Sequence, residues 1–160
     1  MKLARTIHLD ESDSHVFHNP ARPGEWAISG GFEFSNWTED DLVGKARQAF
    51  ANGWLGLDSF GRATFVAVAP ITAEEHDHLA AVLARHFVAY WGAPSIEAAL
   101  PVAHEELAHM AELCADLDDN TLLTVMRSLT ESGVRETFRV IDPMDARIEQ
   151  VARHATPDGS

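Results

Sequence analysis

His104-Glu105-Glu106-Leu107-Ala108-His109 comes nearest of any stretch to a catalytic signature, because two histidines with glutamate between them are the parts of a zinc-protease helix. In that helix the histidines stand four apart and share a face. Here they stand five apart, a rotation of about 500°, so the rings end about 140° apart around the axis and do not close on one ion. Glu75-His76-Asp77-His78 and Glu106-Leu107-Ala108-His109 each contain Glu-x-x-His, and two such motifs make half of a ferritin-like di-iron site. The other half needs an inward glutamate from each of two further long helices. Only Glu39 and Glu131 are on offer, both at the ends of their predicted elements.

His8, Asp10, Glu11, Asp13, His15 and His18 crowd one short segment. Adjacent strands there would bring imidazoles and a carboxylate together, the usual shell of a transition metal, although surface histidines in an acidic turn account for the same pattern. His86 falls near the apolar stripe of its helix and reads as a hydrogen-bonded core histidine. His76 and His154 read as solvated. Nucleophile motifs also fail on spacing. Asp58-Ser59-Phe60-Gly61 has Leu57 where a nucleophile elbow needs glycine. Gly56 and Gly61 bracket four residues like a phosphate loop, but Arg62-Ala63 replaces the lysine and hydroxyl that would hold phosphate and magnesium. Cys114, the single cysteine, sits mid-helix on an apolar stripe, where desolvation raises a thiol's pKa. These residues specify no catalytic group, no metal site and no cofactor.

The elements that would position such groups are clearer. Residues 2–9 alternate as an edge strand, Val16 and Phe17 mark a short returning strand, and residues 19–24 form a proline-glycine loop. Trp26, Ile28, Gly30, Phe32 and Phe34 give residues 25–34 one apolar face as the main strand. Thr38 with Asp41 predicts a capped helix to about Ala51, ended by left-handed residues at Asn52-Gly53. After a glycine-punctuated turn, residues 63–69 form a second apolar strand. Thr72 with Glu75 caps a helix to about Tyr90. Pro101 divides the helical stretch 95–117 into a short helix and a longer one. Residues 121–132 carry Leu122, Val125, Met126 and Leu129 at helical spacing. A last strand, 134–141, precedes a terminal helix from Asp142 to about His154.

The predicted fold is therefore one α+β domain over residues 1–154, with 155–160 a frayed tail. It has a mixed, mainly antiparallel sheet of four or five strands and helices packed mostly on one face. At 160 residues such a domain buries enough surface to fold without disulfides or a structural metal. Twelve basic against twenty-five acidic residues give a formal charge of −13, a field that repels nucleic acid and anionic lipid. Arg135, Thr137 and Arg139 form one local basic edge within it. The longest apolar run is too short to span a bilayer, the start of the chain does not read as a secretory signal, and one cysteine fits a reducing compartment. A cytoplasmic location is expected.

Three functional classes follow. The first is a non-enzymatic accessory or protein-interaction protein, with Trp37, Trp54 and Phe60 as an interface hot spot around one helix if they are exposed. Its partner is another protein, and a homo-oligomer is compatible with the sequence. The second is a small-molecule enzyme or ligand-binding protein whose site lies at the glycine turn, where Asp58, Ser59 and Arg62 meet the strand ends. The third is a metal-binding protein.

Residues 2–13 (KLARTIHLDESD), Pro23-Gly24-Glu25-Trp26-Ala27, Gly44-Lys45-Ala46-Arg47, Phe60-Gly61 and 135–140 together resemble a family of small bacterial proteins of unknown function. The resemblance covers most of the chain. It implies an accessory role, assisting assembly of a redox enzyme, through a genomic association with molybdoenzyme maturation and lipoate-ligase-like proteins. The family pattern does not include the histidines, and it carries no assigned activity or catalytic residue.

Overall fold

The computed structural model describes residues 1–9 and 11–141. Seven strands, β1 (Lys2–Ile7), β2 (Trp26–Ile28), β3 (Trp54–Gly56), β4 (Arg62–Ala63), β5 (Phe65–Pro70), β6 (Leu122–Thr130) and β7 (Gly133–Ile141), form one antiparallel sheet. Its order is β4-β3-β2-β1-β5-β6-β7, and it curls into a half-barrel. The expected α+β class holds, but the sheet has seven strands rather than four or five. Two causes account for the difference. β2, β3 and β4 are two or three residues long, too short for alternation to register. Residues 121–132, expected as a helix, instead supply β6, the first arm of a hairpin with β7 paired from Leu122↔Ile141 to Thr130↔Gly133.

Among the described residues four α-helices accompany the sheet: α1 (Ser12–Val16), α2 (Gly44–Asn52), α3 (Ala73–Tyr90) and α4 (Ile96–Cys114). The predicted Thr72–Glu75 capping box opens α3, with Glu75 N bonded to Thr72 Oγ1 at 3.1 Å. The Thr38–Asp41 box also forms, but it caps a single 3-10 turn, and α2 begins only at Gly44. α1 replaces the expected strand at Val16 and Phe17. Pro101 does not divide α4. Pro101 and Glu97, whose carbonyl loses its amide donor, are both exposed. The predicted terminal helix and frayed tail lie outside the described residues. No helix among the described residues is long and apolar enough to cross a membrane.

α3 and α4 share one core with the sheet, through Leu83, Phe87, Leu107 and Met110 against Leu3, Ile28, Leu55, Val66 and Val68. Phe65, Leu122 and Ile141 form a second, smaller cluster with Ala67. Phe65 and Ala67 alternate with Val66 and Val68, so this cluster lies on the opposite face of β5.

The expected main strand stops at Ile28. Gly30 takes φ 72°, in the left-handed region that glycine enters without strain. The chain then winds into a 3-10 turn, Gly31–Phe34. A side chain at Gly30 would also strike Leu55, its Cβ only 2.5 Å from that residue's Cβ. Gly53 ends α2 for a different reason from the one expected. Its φ is −90°, not left-handed, but a Cβ there would stand 2.8 Å from the Ala49 carbonyl and 3.0 Å from Arg62.

Candidate functional site

The glycine-turn residues do not converge. Ser59 and the Asp58 amide are bound by Glu25, a buried carboxylate. It accepts from Ser59 Oγ at 2.7 Å, Ser59 N at 2.8 Å, Asp58 N at 3.0 Å and Arg22 N at 2.7 Å. Burial opposes ionisation of Glu25, but the bonds from Ser59, Arg22 and Asp58 together outweigh it and hold the carboxyl below its usual range. This clamp closes the turn between β3 and β4. The exposed Asp58 side chain pairs with Arg22, and Arg62 points elsewhere.

The aromatic trio is also dispersed. Trp37 lies parallel to Phe50 with centroids 6.2 Å apart and meets Phe34 edge-on. Trp54 is fully buried and stacks on Phe138 at 5.7 Å, so it has no face to offer a partner. Phe60 stacks on His86 at 3.7 Å.

Asp13, from the histidine-rich segment, turns inward and accepts from Thr64 Oγ1 at 2.7 Å and Thr64 N at 3.2 Å. His8 Nε2 donates to the Ala21 carbonyl at 2.9 Å, while His15 and His18 are exposed. Glu75 is engaged in its cap, and His76, expected as solvated, is half-buried with its ring 6.2 Å from that of His104. Among the described residues no group of three or more His, Cys, Asp or Glu is placed to hold a metal ion.

The residues that do converge are two arginines from β4 and β6. Arg62 and Arg127 are buried. Arg62 donates to the carbonyls of Ser29, Gly30 and Gly53 at 3.2, 3.1 and 3.0 Å and pairs with Glu33. Arg127 donates to Phe50 and Gly53 carbonyls at 2.9 Å and Ala49 at 3.3 Å, and also to the Ser29 carbonyl. The Ala49, Phe50 and Gly53 carbonyls lie at the C-terminal end of α2, the negative end of its dipole. Arg127 Nε donates to Glu136 Oε2 at 2.8 Å. Desolvation lowers the pKa of both guanidiniums, that of Arg62 to about 10, while Glu33 and Glu136 oppose the shift. Both remain charged at neutral pH.

This network fixes one wall of a cleft of about 290 Å³ between α4, β7 and the Ser29–Phe34 turn. Glu136 reaches it with Oε2 held by Arg127 and Oε1 3.3 Å from Ser29 Oγ. From α4 come Glu106, Met110 and the exposed His109; Phe32, Leu113, Val134 and Phe138 supply apolar wall. Glu106 has no hydrogen-bond or ion-pair partner among the described residues. Burial raises its pKa, Glu136 and Glu105 raise it further, and His109 works against them. A carboxyl in this state exchanges a proton readily or receives a cation.

The sequence does pair Glu106 with His109, but as a metal motif. Nothing in it marks Glu136 or Arg127, since the hairpin that joins them was hidden by the helical spacing of 121–132. The family model described as "Family of unknown function (DUF6505)" matches residues 1–159. No curated protein and no solved structure matches the chain.

Proposed function

The chain belongs to the DUF6505 family, a family of unknown function, and from its own geometry we propose that it is a binding protein for a small ligand, housed in the cleft between α4, β7 and the Ser29–Phe34 turn. The observation that carries this is the unpartnered Glu106 facing a cleft of mixed polar and apolar lining whose other carboxylate, Glu136, is already fixed by Arg127 and Ser29. Rigid support of one polar group beside an unspent one is how binding sites are pre-organised. At the glycine turn Ser59 and the Asp58 amide are already held by Glu25, which favours the α4–β7 cleft, with its uncommitted carboxylate, as the site proposed here.

A fragment screen read by amide chemical shifts tests this proposal. Saturable shifts at Ser29, Phe32, Met110 and Phe138 are expected from at least one compound. A diverse screen with no hit at these residues would overturn it.

The accessory, protein-interaction role is a second proposal, favoured by one observation. The end of α3 exposes Tyr90 (74%) and Trp91 (45%), and Phe32 meets Trp91 edge-on at 5.6 Å. Exposed Tyr and Trp are the residue types on which interfaces concentrate. Copurification of the wild-type chain and Trp91→Ala from source cells tests it. A stoichiometric partner lost from the variant supports the role, whereas a partner retained equally by both would remove this surface from it.

A further inference from the structure

The cleft has a charge pattern that selects among ligands. Each buried guanidinium has its own carboxylate: Arg62 pairs with Glu33, and Arg127 with Glu136. Arg62 Nη1 and Nη2 and Arg127 Nη1 also donate to backbone carbonyls. Glu106 is the carboxylate left over. The groups bearing on it are Glu105 and His109 from its own helix and Glu136 from β7, and two of these three are acidic. Besides Ser29 and His109, the wall offers carbon from Phe32, Met110 and Phe138.

An anionic ligand would meet Glu106 and Glu136 with no uncommitted guanidinium to receive it. A bare divalent ion needs several converging ligands, and among the described residues no group of three or more His, Cys, Asp or Glu is placed to hold one. A neutral apolar molecule would leave the Glu106 charge desolvated and unpaired, the costly case. An ammonium group has three donors and no acceptor. It would satisfy Glu106 while relieving its repulsion with Glu136.

We infer that the cleft takes a small protonated amine on an apolar body, with Glu106 as counter-ion, Glu136 as second acceptor, and Phe32, Met110 and Phe138 against the carbon skeleton. This rests on the binding role proposed above for the same cleft. It is a non-covalent site, and no covalent bond forms or breaks on binding.

The test is an amide-shift titration of the full chain at pH 7.5 with three probes of one shape: benzylamine, benzyl alcohol and benzoate. Benzylamine is expected to saturate shifts at Phe32, Met110 and Phe138 with a Kd at least about tenfold below that of benzyl alcohol, the usual size of one charge-assisted contact. Glu106→Gln should abolish that preference. Glu105→Gln, the same charge change at an exposed position outside the cleft lining, should keep it. Lowering the pH through the raised pKa of Glu106 should weaken benzylamine alone.

Benzyl alcohol or benzoate binding as tightly as benzylamine at these residues would overturn the ammonium assignment while the cleft remained a binding site. So would benzylamine shifts scattered over the acidic surface and indifferent to Glu106→Gln. Failure of all three probes at the cleft, alongside an empty fragment screen, would remove the binding role itself. Should Glu106→Gln not fold, the wild-type ranking of the three probes still decides.

Discussion

Arg62 and Arg127 both donate to the carbonyl of Gly53, at 3.0 and 2.9 Å, and their guanidinium carbons lie 4.6 and 5.1 Å from the ring centroid of Phe34. Two like charges share one acceptor and one aromatic ring because Glu33 and Glu136 neutralise them from either side. The arrangement ties β4, β6, β7, the end of α2 and the Gly31–Phe34 turn into one rigid corner. That corner presents Glu136 to the cleft.

Removing one partner from such a buried set leaves the rest uncompensated. Arg127→Met takes from Glu136 its guanidinium partner and from the Ala49, Phe50 and Gly53 carbonyls one donor each. We expect a loss of about 3–5 kcal/mol. Arg127→Lys should recover little of it, since an ammonium does not span Glu136 and the α2 carbonyls as the planar fork does. Urea unfolding measures both. A loss below about 1 kcal/mol for Arg127→Met would mean that the corner does not hold the fold.

Much of the helical part of this fold was legible because α3 declares itself twice, through the Thr72–Glu75 box and through the spacing of Leu79, Leu83 and Phe87. β6 was not legible, and Arg127 is the reason. Its inward positions are Leu123, Val125 and Arg127, so the period-2 apolar pattern breaks at the residue that anchors the corner. Leu122 is buried on the opposite face as well, and the combined set imitates a helix. The better signal was the turn. Only Glu131 and Ser132 separate the paired Thr130 and Gly133, a spacing that suits a hairpin. Glu106 was visible and Glu136 was not, because a carboxylate in an alternating strand acquires meaning only from what lies across the sheet.

Trp54 carries the only buried side-chain nitrogen or oxygen without a hydrogen-bond partner among the described residues, its indole Nε1. Trp54→Phe removes that orphan donor along with part of the ring. The relief, worth about 1–3 kcal/mol, offsets much of the lost packing, so a net loss near 1 kcal/mol is expected. Trp54→Ala has no such offset and should lose about 3–5 kcal/mol. Equal losses from the two variants in denaturant unfolding would show that the indole nitrogen is satisfied in solution.

Cys114 is fully buried on α4. Desolvation pushes its thiol up to about 11, although Lys2 pulls the other way. At pH 8 the thiolate fraction falls by roughly two orders of magnitude relative to an ordinary cysteine. Iodoacetamide should therefore label the native chain at least about a hundredfold more slowly than the urea-unfolded chain. Comparable rates would place the thiol at the surface.

His86 links the cleft-side turn to the exposed end of α3, and it is the residue through which pH reaches both. Trp91 Nε1 donates to His86 Nε2 at 3.2 Å, which requires that nitrogen to be unprotonated; Glu33 Oε2 stands 3.8 Å from the same nitrogen. Phe60 and Tyr90 cover the ring, and Arg62 holds Glu33. Burial lowers the His86 pKa, with Glu33 opposing, so the unfolded chain takes up this proton first. Stability from the site is thus complete above the ordinary value near 6.5 and is lost as pH falls towards the lower native pKa. Protonation would turn Nε2 from acceptor of Trp91 to donor towards Glu33. Indole fluorescence should change with a midpoint below 6.5, and unfolding free energy should drop between pH 7.5 and 5.5 by more in the wild type than in His86→Phe. Parallel pH dependences in the two proteins would assign the drop to other groups and leave His86 a packing residue.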